Sequence, residues 1–129
     1  MPDSPLQRVL IVDDEKIIAD TLALILKAIG FESRAVYSGE AAVEVAMQFQ
    51  PDVLITDVIM NGMNGVEAAI LISSMLPECK IILFSGQAAT ADLVAQASLK
   101  GHKFEILAKP VHPLVLIERV KHLAPCPSA

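Results

Sequence analysis

The 129 residues suffice for one domain with a sizeable core and leave no room for a second. With 53% of residues apolar and only 4% aromatic, that core is expected to be built from Val, Ile, Leu, Ala and Met, which suits helices packed on a parallel sheet. The net charge of −5, with Lys and Arg scattered, argues against a nucleic-acid surface, and no apolar run approaches the ~20 residues that cross a bilayer, so a soluble protein is expected.

Val9-Leu10-Ile11-Val12 reads as a buried strand that stops at two acids, Asp13 and Asp14. Ile17, Ile18, Leu22, Ile25, Leu26 and Ile29 then recur at helical spacing, predicting a helix over Glu15 to Ile29 with Gly30 at its C-terminal cap. Glu32 to Tyr37 alternates as a short strand. Ser38 can cap a helix through Val43, Ala46, Met47 and Phe49 that ends at Pro51. A third strand, Val53-Leu54-Ile55-Thr56, stops at Asp57, and a Gly/Asn-rich loop runs from Asn61 to Gly65. Val66, Ala69, Ile70 and Met75 line the next helix, closed by Pro77.

Lys80 to Phe84 is a fourth buried run, followed by Ser85-Gly86-Gln87 and a helical pattern through Leu93, Val94, Ala97 and Leu99. The fifth strand is predicted over Phe104 to Leu107 and leads to Ala108-Lys109-Pro110. Pro113 starts a last helix carrying Leu114, Leu116, Ile117, Val120 and Leu123. This alternation implies βαβ units with right-handed crossovers and a parallel sheet covered on both faces. Such sheets bind ligands beyond the carboxyl ends of their strands. Asp13, Asp14, Asp57, Ser85 and Lys109 all fall at those ends.

Taken in order, Val9 to Glu15, Asp57 to Gly65, Phe84-Ser85-Gly86 and Lys109-Pro110 resemble the signature segments of the receiver domain of two-component response regulators. The resemblance runs from about Arg8 to Leu123, and implies a domain over residues 8–123 with residues 1–7 and 124–129 as flexible ends or linker remnants. It also implies a flavodoxin-like (βα)5 doubly wound sheet with strand order 2-1-3-4-5. By the same resemblance Asp57 is the phosphoacceptor. Asp14, Asp57 and the Ile59 backbone carbonyl would ligate Mg2+ directly, and Asp13 would act mostly through water. Lys109 would stand beside the phosphoryl oxygens, Ser85 would donate to one of them, and Pro110 resembles the proline of the family's cis turn.

The chemistry agrees with these assignments. A carboxylate attacking a phosphoryl group must overcome repulsion between two anions, and a hard divalent ion lowers that barrier while needing only a few protein oxygens. The product is a mixed anhydride suited to a transient signal. The chain departs from the family pattern at Ile106, where a Tyr or Phe is usual and the nearest aromatic is Phe104, and at Asn61, where a proline is common. Gly101 also stands one residue further from Lys109 than the usual spacing.

Each residue also has an ordinary reading: Asp13-Asp14 as a helix cap, Asp57 as a loop acid, Ser85 as a turn residue, Lys109 as a solvated charge. Met60 and Met63 are expected to pack the loop, and Gly62 and Gly65 to permit its tight path. His102, His112 and His122 lack ligand spacing and are expected at the surface. Cys79 and Cys126 have neither metal nor redox spacing, which fits a reduced cytoplasmic setting. The resemblance implies a sensor histidine kinase or phosphotransfer protein as phosphodonor, and a downstream protein or an effector domain as target. It further implies a signalling domain that catalyses only its own phosphorylation and dephosphorylation, with homodimerisation through its last two helices as a family habit. Two alternatives are a receiver-like docking module independent of phosphorylation and a metal-dependent phosphatase, the latter lacking room for a substrate cap.

Overall fold

The computed structural model describes residues 7–85, 104–108 and 112–123. In chain order these form β1 (Arg8–Val12), α1 (Lys16–Ala28), β2 (Glu32–Val36), α2 (Gly39–Phe49), β3 (Val53–Asp57), α3 (Gly65–Met75), β4 (Lys80–Ser85), β5 (Glu105–Ala108) and α4 (Pro113–Leu123). The five strands make one parallel sheet in the order β2-β1-β3-β4-β5, as the resemblance implied. The helix predicted through Leu93 to Leu99 lies outside the described residues.

Alternation along the strands sends side chains to two cores. Leu10, Val12, Leu54, Ile81 and Leu83 pack against Ala42, Ala46 and Phe49 of α2 and Val66, Ala69 and Ile72 of α3. Val9, Ile11, Val53, Ile55, Ile82 and Phe84 pack against Ala19 and Leu26 of α1 and Leu116 and Val120 of α4. Strands apolar on both faces are what a sheet covered on both sides requires.

Local chemistry sets most boundaries. Ser38 caps α2, its Oγ accepting the Ala41 N–H at 3.0 Å. His112, predicted as a plain surface residue, is exposed but also caps α4, its Nδ1 accepting the Leu114 N–H at 3.1 Å. The α1 stripe differs from the expected one. Ala19 and Leu26 are buried toward the sheet, whereas Ile17, read as part of that stripe, is 82% exposed. β5 begins at Glu105 rather than Phe104, because pairing with β4 begins at Glu105 opposite Ile82, while Phe104 packs into the α2–α3 core from just before the strand.

The amino edge of the sheet is closed by Asp52. Its Oδ2 and its N–H bond the Arg8 backbone at 2.8 Å each, and its carbonyl accepts the Lys80 N–H at 2.9 Å. The carboxyl edge is left to the acids.

Candidate functional site

β1 runs out at Val12, and the next residue is still tied to the sheet: the Asp13 N–H donates to the Val36 carbonyl at 3.2 Å. The Asp13 side chain is 1% exposed, and its Oδ1 accepts the Glu15 N–H at 2.9 Å. The N-cap residue of α1 is Glu15, so the predicted helix cap is not made, and this bond is an Asx-type turn formed by Asp13. Its carboxylate stands at the start of α1, where helix amides favour negative charge, while the Glu15 side chain makes no cap bond. Asp14 is exposed.

Asp57 belongs to β3 itself, one residue further than predicted, because it pairs with Phe84 of β4. Its carbonyl and the backbone of the next residue, Val58, are held by three hydrogen bonds. Thr56 Oγ1 donates to the Asp57 carbonyl at 3.0 Å, the Val58 N–H donates to the Phe84 carbonyl at 3.1 Å, and the Gly65 N–H donates to the Val58 carbonyl at 2.8 Å. The Asp57 side chain is 8% exposed.

Together the three acids form one cluster, with carboxylate oxygens of Asp13, Asp14 and Asp57 all within 4.8 Å of one another. Two full charges at such a separation repel by roughly 3 kcal/mol at an effective dielectric of 20, which favours positive charge among them. The donors are all oxygen, with no His or Cys in the cluster. That set fits a hard divalent cation such as Mg2+ better than a soft or borderline metal.

The loop after Asp57 matches the packing expectation. Val58 and Met60 are buried, Met63 is half-buried, and Ile59 is 45% exposed. Gly65 is the first residue of α3 rather than part of the loop, because Asn64 caps that helix. Asn64 Oδ1 accepts the Glu67 N–H at 2.9 Å, and Glu67 Oε1 accepts the Asn64 N–H at 3.1 Å. The Asn64–Glu67 spacing is a capping-box signature that the sequence carried in plain view. Thr56 had no such signal, since it reads as one more strand residue.

Strand register brings Ser85 to the same edge. Ser85 ends β4 one residue past the partner of Asp57, and its own partner is Ala108, the residue before Lys109. The Ser85 side chain, Lys109 and Pro110 lie outside the described residues. Ile106 pairs with Leu83 and is 46% exposed. Cys79 is buried with a free thiol, His122 is exposed, and Cys126 and His102 lie outside the described residues. No helix among the described residues is long and apolar enough to cross a membrane.

Residues 9–121 match the family model of the response regulator receiver domain. Among curated proteins the chain is similar to the DNA-binding response regulator MtrA of Mycolicibacterium smegmatis, 28% identical over 92% of this chain and 51% of the relative, so it spans about half the length of that protein. Among solved structures it is similar to a two-component transcriptional regulator AraC from Clostridium phytofermentans, with 31% identity, a TM-score of 0.75 and coverage of 91% of this chain and 90% of that one. It is also similar to a CheY-like response regulator receiver domain protein from Methanospirillum hungatei, with 26% identity, a TM-score of 0.82 and coverage of 92% and 93%. An ordered set of strand-end acids on a 2-1-3-4-5 parallel sheet, matched by a family model over nearly the whole chain, places this protein in the response regulator receiver domain family.

Proposed function

We propose that Asp57 accepts a phosphoryl group within a two-component relay and that Asp13, Asp14, Asp57 and the Ile59 carbonyl hold Mg2+. The observation that carries this reading is the convergence of three carboxylates within 4.8 Å at the carboxyl edge of the sheet. The bound ion would supply positive charge that offsets repulsion between a carboxylate nucleophile and an incoming phosphoryl group.

The chain's own residues supply the rest. A carboxylate oxygen of Asp57 attacks the phosphorus of a phosphohistidine on the sensor kinase or phosphotransfer partner. The new P–O bond gives an acyl phosphate, and the P–N bond breaks with its electron pair returning to the imidazole. Thr56 holds the Asp57 carbonyl, and Gly65 the Val58 carbonyl beside it, while this happens. Lys109 sets a positive charge beside the phosphoryl oxygens, and the Ser85 hydroxyl donates to one of them and thereby reports the modification.

The phosphoryl group changes a protein-interaction surface read by a downstream protein or an effector domain. With a net charge of −5 the chain has little to offer nucleic acid directly, so DNA binding, part of the name of MtrA, is not extended to it. The domain spans residues 8–123, works in the cytoplasm, and catalyses only its own phosphorylation and dephosphorylation.

Incubation with acetyl phosphate and Mg2+ is expected to add one phosphoryl group by intact mass, and Asp57→Asn to abolish the addition. Labelling that persists in Asp57→Asn overturns the assignment. The exposed Ile106, in place of the usual aromatic, favours a second reading, a docking module indifferent to phosphate. A beryllofluoride adduct that leaves partner affinity unchanged would select that reading.

A further inference from the structure

The loop that follows the phosphoacceptor strand buries only Val58 and Met60 on its own account, and Asn61 imposes no restriction on φ of the kind a proline would. It is braced from outside by the first turn of α2. Gly39 is buried against it, so that a β-carbon on residue 39 would lie 2.9 Å from the Met63 carbonyl oxygen and 3.0 Å from the Met63 Cβ. The next residue makes the polar contact: Glu40 Oε2 accepts the Met63 N–H at 3.1 Å. The same oxygen would stand 2.8 Å from a β-carbon on Gly62, whose φ of +76° already disfavours any other residue. Glu40 also sits in the first turn of α2, where its negative charge is favoured by the helix amides.

We infer that Glu40 is a positioning residue for the metal site, its carboxylate gripping the Met63 N–H over the Gly62 turn and so fixing the loop backbone that presents the Ile59 carbonyl. This rests on the metal reading proposed above. Glu40 is remote in sequence from the loop and acts through its main chain. Its contribution is therefore to the rigidity of one metal-facing segment.

Two variants separate the hydrogen bond from the charge: Glu40→Ala removes both, whereas Glu40→Gln keeps an acceptor oxygen and loses the charge. In metal-free protein, amide exchange at Met63 followed by NMR is expected to quicken in Glu40→Ala and to stay near wild type in Glu40→Gln. By isothermal titration calorimetry, Glu40→Ala is expected to weaken Mg2+ binding about fivefold, the worth of one ordinary hydrogen bond, and Glu40→Gln by less than about twofold. Equal Mg2+ affinity and equal exchange in Glu40→Ala and wild type overturn the inference alone. So does a Glu40→Gln variant as impaired as Glu40→Ala, which would assign the effect to charge. Wild-type protein that binds no Mg2+ overturns the metal reading together with the inference.

Discussion

Gly65 meets the carbonyl oxygen of Asp57 so closely that a β-carbon on residue 65 would lie 2.0 Å from it and 3.0 Å from Thr56 Oγ1. No real contact is that short, so any side chain there displaces the Asp57 backbone. Gly65→Ala is expected to cost about 1–3 kcal/mol, the usual penalty of overpacking, and to slow phosphorylation by a small-molecule donor. Urea denaturation and intact-mass kinetics read the two effects. Wild-type stability in this variant would show that the strand-to-helix turn relaxes freely.

Asn64 and Glu67 satisfy each other's N–H groups at the start of α3. Asn64→Ala is expected to lower stability by about 1 kcal/mol, seen as a lower urea midpoint at unchanged slope. Glu67→Ala removes only the returning half of the box and should cost less. An Asn64→Ala midpoint equal to that of wild type contradicts the capping role.

Mg2+ that binds the folded acids and not the unfolded chain stabilises by mass action. At a free concentration one hundred times Kd the gain is about 2.7 kcal/mol, lost again on adding EDTA. Asp14→Ala removes one of the three clustered carboxylates and should shrink that gain at the same Mg2+ concentration. Thermal melts with and without the ion report both, and a gain undiminished in Asp14→Ala would remove Asp14 from the ligand set.

The Cys79 thiol is pushed up to about 12, chiefly by burial and further by the Asp52 carboxylate, against a smaller opposing effect of a backbone hydrogen bond with Leu54. Below the ordinary value of 9.0 it is protonated in folded and unfolded chains alike. Above that value the unfolded chain loses its proton first, so stability falls as pH rises toward about 12. Tyr37 pulls in the same direction, its hydroxyl raised by the hydrogen bond it donates to Asp20. Cys79→Ala should therefore reduce the alkaline slope without abolishing it. In a Cys126→Ser background, native Cys79 should resist a disulfide reagent that labels it at once in denaturant.

Much of the fold was legible because its signals are local and periodic. The α1 stop before Gly30, the Ser38 cap and the three strand-end acids each declare themselves within a few residues. Features that are not legible locally depend on partners distant in sequence. The Glu40–Met63 contact spans 23 positions, and Glu105 pairs with Arg119 from β5 to α4 across 14, with nothing local to announce either. The start of β5 lies one residue later than Phe104 for a related reason. Phe104 has strand propensity, but the ladder with β4 begins one residue later, and pairing prevails over propensity. The Asn64–Glu67 box, by contrast, is a local signal that the sequence carries.

The sheet also acts as a partition. Leu116 lies in the core shared with α1, and Ile72 in the core shared with α2, on opposite faces of the same five strands. Truncations on the two faces share no packing partners, so the losses from Ile72→Val and Leu116→Ala are expected to add within about 0.5 kcal/mol. A chemical event at the acids stands where the partition ends. Both cores reach that edge, Val12 belonging to one and Phe84 to the other.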